Sequence, residues 1–145
     1  MNSRTTFAII LSLVFILFSF TSDENTKWQE YKDIQGVKIY TKTAMCKTEH
    51  NTAVNEYFVF KYVNSNSYDI RLTWKLNIWY NDICRSCDLP SPNEYELSLD
   101  IKAGQTLEYS CTDDSKAFKI FKASKEGNMH PKVKFELQGL KLIKL

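Results

Sequence analysis

The residues of this chain whose type and spacing could do chemistry are its four cysteines, Cys46, Cys84, Cys87 and Cys111. Cys84 and Cys87 form one Cys-x-x-Cys motif, and the other two stand alone. Such a set can form two disulfides, hold zinc through four thiolates, or supply the activated thiol of a thiol–disulfide oxidoreductase. The compartment and the surrounding elements decide between these chemistries.

The N-terminus predicts export. Arg4 is followed by an apolar run over residues 7–20. This run suits a signal peptide and is shorter than the ~20 residues that span a bilayer. We predict a signal peptide over residues 1–22 and one domain over residues 23–145, secreted or periplasmic, with no membrane span after cleavage. An uncleaved anchor is the alternative interpretation.

In an exported chain an even number of cysteines predicts two disulfides. Three pairings are open. Bridges from Cys46 and Cys111 to the two Cys-x-x-Cys residues would tie three segments together, and long-loop bridges of this kind stabilise by ~3–4 kcal/mol each in the chain-entropy model. A local Cys84–Cys87 bridge combined with Cys46–Cys111 is the competing arrangement.

Catalytic and metal alternatives are weaker. Cys84-Arg85-Ser86-Cys87 is followed by Pro90 and Pro92 with no helix-forming run, whereas oxidoreductase thiols are activated at a helix N-terminus. A zinc site made of four thiolates is disfavoured because exported thiols oxidise. His50 and His130 fall in predicted loops, and the chain has no serine-nucleophile elbow, phosphate loop or zinc-protease motif. We therefore predict no enzyme activity, no cofactor and no metal.

The elements that position the cysteines follow from hydrophobic alternation. Apolar side chains occupy every second position from Tyr68 to Tyr80, with mostly polar residues between them, which predicts one long, half-buried strand. Similar patterns, separated by turn residues, predict seven strands after a short lead-in at residues 28–31. They cover residues 37–46, 56–63, 68–80, 95–101, 107–111, 118–120 and 133–137.

Seven strands in about a hundred residues predict an antiparallel sandwich of the immunoglobulin-like or fibronectin-III-like type. Ala103-Gly104-Gln105 is predicted to form a hairpin turn, and Gly139 a bulge before residues 140–145. If the strands alternate in direction, the first, third and fifth end at the same pole, so the four cysteines should lie near one another. Four lysines alternate with apolar residues in a pattern typical of edge strands: Lys132, Lys134, Lys141 and Lys144.

The composition excludes nucleic acid and allows recognition through aromatic side chains. Without residues 1–22 the chain has 18 basic and 17 acidic residues, a net charge of +1 with no basic footprint. Trp79 interrupts the polar face of the long strand, and Tyr57 or Tyr62 on a neighbouring strand could share its surface. Such a surface could stack sugar rings. The alternative is that Trp79 simply covers the sheet beneath a loop.

Two segments resemble small secreted bacterial Ig-like proteins. The first runs from Tyr62-Val63-Asn64 to Trp74, and the second covers residues 99–106, Leu-Asp-Ile-Lys-Ala-Gly-Gln-Thr. A Trp-Tyr strand end, a Cys-x-x-Cys loop and a later cysteine are similar to an uncharacterised family of this kind, over residues 28–137. The resemblance implies an Ig-like sandwich and carries no function. The core disulfide of antibody domains has no match here.

These observations predict a non-catalytic extracytoplasmic module that binds an unknown protein or glycan partner or has a structural role. A carbohydrate-binding module that uses exposed aromatics is the alternative. A thiol–disulfide redox protein and a zinc protein with four cysteine ligands are less favoured. The sequence does not specify the oligomeric state.

Overall fold

The computed structural model describes residues 26–47, 53–127 and 130–145. The predicted signal peptide and His50 lie outside the described residues. None of the described residues forms a helix that is long and apolar enough to cross a membrane. The described chain forms nine strands: β1 (Gln29–Ile34), β2 (Val37–Lys47), β3 (Val54–Asn64), β4 (Ile70–Tyr80), β5 (Ile83–Cys84), β6 (Glu96–Ile101), β7 (Thr106–Glu108), β8 (Lys119–Ser124) and β9 (Val133–Lys144).

The strands form two antiparallel sheets, and the predicted all-β sandwich is confirmed. The first sheet has the order β1, β2, β3, and β7 and β8 share the far side of β3. In the second sheet β4 is central, with β9 along one side and β6 and β5 along the other. The core lies between the sheets.

The long alternating segment forms β4, as predicted. Its inward side chains Ile70, Leu72, Trp74 and Leu76 are at most 4% exposed, because alternate residues of a strand point to the same face. Aromatic rings join the two sheets across the core, with Tyr62 and Trp74 centroids 5.8 Å apart and Phe60 and Phe135 centroids 5.2 Å apart.

Two strands add to the predicted seven, and both come from tight turns. The predicted lead-in extends into β1 because Gln35 and Gly36 both have positive φ angles, 48° and 82°, which closes a two-residue hairpin. Asn81 and Asp82, with φ angles of 50° and 65°, turn the end of β4 back into β5. Asn and Asp tolerate this left-handed conformation better than most residues.

The predicted fifth strand, residues 107–111, is shorter than expected. β7 ends at Glu108, and residues 109–118 leave the sheet before β8 resumes the pairing with β3. Both ends of this excursion bond to the same residue. The Tyr109 amide donates to the Phe60 carbonyl at 3.1 Å, and the Phe60 amide donates to the Phe118 carbonyl at 3.0 Å. The excursion contains Cys111, and the two hydrogen bonds to Phe60 keep the edge of the sheet continuous on either side of it.

The predicted hairpin at Ala103-Gly104-Gln105 is wrong. β6 pairs with β4 in the second sheet and β7 with β3 in the first, so this turn crosses between sheets. Asn64, fully buried at the end of β3, stabilises the crossing. Its amide nitrogen lies 3.2 Å from the Ile101 carbonyl and 3.0 Å from the Lys102 carbonyl.

The predicted bulge at Gly139 is confirmed. Thr73 pairs with Lys141 and Lys75 with Gln138, so one residue of β4 opposes two of β9, and Gly139 has a positive φ of 64°. The four lysines predicted for edge strands are exposed, and three of them belong to β9.

Candidate functional site

The two disulfides follow the competing arrangement. Cys46 is bonded to Cys111 with a Cα–Cα distance of 5.4 Å, and Cys84 to Cys87 with 5.8 Å. All four sulfurs are therefore paired, which leaves no thiolate to act as a nucleophile or a zinc ligand in this state. Paired cysteines are compatible with an extracellular location.

The long bridge and the local bridge lie towards the same pole. Arg85, inside the Cys84–Cys87 loop, and Asp114, three residues after Cys111, line one groove. The turn at residues 64–67 lies at the other pole, where the Ser65 amide donates to the Gly36 carbonyl at 2.9 Å. The predicted strand parity is thus confirmed for Cys46 and Cys111.

The predicted shared surface of Trp79, Tyr57 and Tyr62 does not form. Trp79 lies on the outer face of the second sheet, where it pairs with Cys84 and Lys134. Tyr57 and Tyr62 belong to β3, in the first sheet. Tyr62 is fully buried, and its hydroxyl donates to the Ala117 carbonyl at 2.5 Å. Burial also raises the pKa of the Tyr62 hydroxyl, so this residue belongs to the core.

A first aromatic cluster covers the outer face of the first sheet. The Lys42 and Lys61 ammonium groups lie 4.5 Å and 4.7 Å from the centroid of the Trp28 ring. Trp28 also contacts the Tyr109 ring edge to face at 6.1 Å. The outward-facing Val59, cross-strand partner of Lys42, is completely buried. The side chains of this cluster therefore cover the outer face of the first sheet.

A second cluster of aromatic side chains lines an open groove. The groove has a volume of about 270 Å³ and lies between β8 of the first sheet and the β4–β6 side of the second. We call it the tyrosine groove. Three tyrosines, one phenylalanine, two isoleucines, three cations and one carboxylate line it: Tyr57, Tyr80, Tyr95, Phe121, Ile78, Ile120, Arg85, Lys116, Lys119 and Asp114.

Tyr80, Tyr95 and Arg85 interact within the groove. The Tyr80 hydroxyl donates to the Phe121 carbonyl at 2.9 Å and so links the two sheets. Burial raises the pKa of the Tyr80 hydroxyl, Tyr95 raises it further, and the nearby positive charge of Arg85 partly offsets this rise. The guanidinium of Arg85 therefore acts electrostatically on Tyr80.

The opposite side of the groove combines rings with ammonium groups. Tyr57 and Phe121 meet edge to face at 5.8 Å, and Phe121 is 40% exposed. The Lys119 ammonium lies 5.3 Å from the Tyr57 centroid, and the Lys116 ammonium lies 5.1 Å from the Tyr95 centroid. Buried Ile78 and Ile120 form an apolar floor, so polar groups surround a ring-lined depression.

Short local motifs position these side chains. The Ser86 hydroxyl, fully buried, accepts a 3.0 Å hydrogen bond from the Ile78 amide, and the Arg85 amide donates to the Ile78 carbonyl at 2.8 Å. The Cys84–Cys87 loop is thereby fixed against β4. The Tyr95 amide donates to the Asn93 side chain at 3.0 Å in an Asx turn. Both loops present groove residues from fixed backbone.

Tyr57 is the only aromatic residue of the groove that the sequence singled out for binding. Tyr80 and Tyr95 looked like the end and the beginning of strands, and Arg85 like a spacer between cysteines. A usable signal was present, since Tyr80 and Tyr95 flank the segment that holds the Cys-x-x-Cys motif and two of the three prolines. Phe121 and Ile120 gave no such signal, because alternation alone does not show at which side of the sandwich a groove remains between the two sheets.

No protein-family model, curated protein or solved structure matches this chain. The resemblance to secreted bacterial Ig-like proteins therefore stays a prediction.

Proposed function

We propose that this protein is a non-catalytic binding module of the extracytoplasmic space, secreted or periplasmic, whose recognition site is the tyrosine groove. The observation that carries the proposal is the convergence of three tyrosines and Phe121 around an open depression with charged residues among its lining. Aromatic side chains supply large contact area at low conformational cost, and polar groups at the rim fix orientation.

Pre-organisation supports binding at this groove. Tyr80 is bonded across the sheets, Tyr95 is held by its Asx turn, and Arg85 lies in a disulfide-closed loop. Side chains that are already ordered in the free protein lose little entropy when a ligand binds. The groove is thus built for recognition without a large rearrangement.

The lining favours binding over hydrolysis. Most glycoside hydrolases need a pair of carboxylates that flank the scissile bond, and the described residues of the groove include only one, Asp114. Glu94 lies near this region, but it forms an ion pair with Lys116 at 2.7 Å. A role in holding a ligand fits this charge arrangement better than acid–base chemistry.

A glycan is the ligand class that the groove favours. Tyrosine rings offer flat apolar faces for the apolar faces of sugar rings, while their hydroxyls and the charged rim can bond to sugar hydroxyls. The groove volume of about 270 Å³ lies just below the range of about 300–1,000 Å³ for drug-sized ligands. A groove of this size suits a short stretch of a glycan chain.

A glycan array probed with the labelled, disulfide-bonded protein tests the proposal. We expect binding that falls about tenfold or more in Phe121→Ala, since aromatic anchors dominate such contacts. Phe121 is 40% exposed, so its truncation should leave the fold intact. Trp79→Ala on the outer face of the second sheet is the matched control and should bind normally. Loss of binding in Trp79→Ala with normal binding in Phe121→Ala would place recognition elsewhere.

A further inference from the structure

The charges of the tyrosine groove point beyond glycans in general. Resting on the proposed function, we infer that the groove binds an acidic polysaccharide through the carboxylate of a uronic acid unit, with Arg85 as the carboxylate-binding residue. Three observations carry this inference: the charge balance of the groove, the state of the Arg85 guanidinium, and the support of the loop that presents it.

The lining has an excess of positive charge. Arg85, Lys116 and Lys119 face one carboxylate, Asp114. Lys116 is already neutralised by Glu94 at 2.7 Å. Lys119 donates to the Cys111 carbonyl at 2.8 Å, a contact that positions the ammonium without cancelling its charge. The excess is local, because the chain after residue 22 has a net charge of only +1.

Arg85 has an available guanidinium. Within the described part of the chain, no carboxylate lies within ion-pair distance of it, whereas Arg71, the other described arginine, is held by Asp100 at 2.6 Å. A guanidinium presents paired N–H donors whose planar geometry matches a carboxylate, which makes bidentate binding its preferred use. An unpaired arginine at an aromatic groove therefore specifies a carboxylate better than a lysine would.

Three interactions hold the loop that presents Arg85. The disulfide closes it, Ser86 bonds it to the Ile78 amide, and Lys75 donates to the Cys87 carbonyl at 2.7 Å. These bonds fix the backbone on both sides of Arg85, so a ligand has to order only the Arg85 side chain and not the loop. The tyrosines then contact the sugar ring that bears the carboxylate.

Calorimetric titration of the disulfide-bonded protein with polygalacturonate and with alginate tests the inference. We expect binding to at least one of these uronate polymers and a loss of about tenfold or more in Arg85→Gln, as for a removed partner of a carboxylate. Arg85 is exposed, so the variant should fold. Lys141→Gln removes one exposed charge from β9, outside the groove, and is the matched control; its affinity should stay within about twofold, as for a distant surface charge.

Four outcomes would overturn the inference. Equal affinity for methyl-esterified polygalacturonate would show that the carboxylate is not recognised. Equal affinity for poly-L-glutamate would show that the groove binds carboxylates on a peptide as well as on a sugar. Equal losses in Arg85→Gln and Lys141→Gln, or no binding to either uronate polymer, would remove the role of Arg85. In each case a Phe121-dependent signal on neutral glycans would leave the proposed function standing.

Discussion

At the scale of single residues, two buried polar side chains stabilise the ends of the sandwich. Asn64 donates to the backbone carbonyls of Tyr68, Ile101 and Lys102, at the ends of β4 and β6. Tyr62 bonds to Ala117, in the excursion between β7 and β8. A buried polar group without a partner costs more than a bond contributes, so each position tolerates few substitutions. Tyr62 also stabilises the segment that carries Asp114 and Lys116 to the groove.

We predict that Tyr62→Phe lowers the free energy of unfolding by about 1–3 kcal/mol, because the Ala117 carbonyl loses its donor while the ring remains. Urea denaturation followed by fluorescence measures the change. Tyr40→Phe is the control: the Tyr40 side chain is half-buried on the outer face, and its hydroxyl forms no hydrogen bond with any described residue, so the cost should stay below about 0.5 kcal/mol. Similar costs for both variants would contradict the role given to the Ala117 bond.

At the scale of elements, tight turns decide which strands exist. Gly36 closes the β1–β2 turn with a φ of 82°, and a Cβ atom there would lie 2.8 Å from the Asn66 side-chain oxygen. That oxygen belongs to a side chain whose nitrogen donates to the Gln35 carbonyl at 2.9 Å. The turn is therefore restricted both by its backbone conformation and by a neighbouring loop.

Gly36→Ala should destabilise the protein more than Gly104→Ala. Both positions have a positive φ, which costs a residue other than glycine about 1–3 kcal/mol. At Gly104, with a φ of 66°, an added Cβ atom meets nothing within 4 Å, so this variant isolates the backbone cost. Thermal unfolding of the two variants measures the difference. If Gly104→Ala proved equally costly, the contact with Asn66 would contribute nothing.

At the scale of the whole molecule, the disulfides have unequal roles. Cys46–Cys111 joins residues 65 apart in the sequence, whereas Cys84–Cys87 joins residues 3 apart. In the chain-entropy model the long bridge restricts the unfolded chain far more. The short bridge instead closes the loop that presents Arg85 to the groove.

Replacing Cys46 and Cys111 together by serine should lower the free energy of unfolding by about 4 kcal/mol, and replacing Cys84 and Cys87 together by about 2 kcal/mol. Guanidinium denaturation of both variants measures these losses. The second variant should also bind glycans more weakly, because its Arg85 loop is no longer closed. Equal stability losses would contradict the entropic difference, and unchanged glycan binding would contradict the role of the short bridge.

Period-2 alternation was enough to predict the sandwich and the buried face of β4. Because successive side chains point to opposite sides of a strand, apolar residues at every second position specify a half-buried strand whatever its partners are. Gly139 was recognisable for a similar reason, since a lone glycine between two alternating runs indicates a bulge. The even cysteine count likewise predicted two bridges.

Only the tertiary structure decided the pairing of the cysteines and the composition of the groove. Three pairings satisfied the sequence, and the choice depended on which strand ends meet in space. Alternation places Tyr62 and Tyr57 on opposite faces of β3, yet it does not show that one face is the core and that the other borders a groove. Alternation is a property of a single strand, whereas a groove forms between two sheets, so its members share no pattern along the chain.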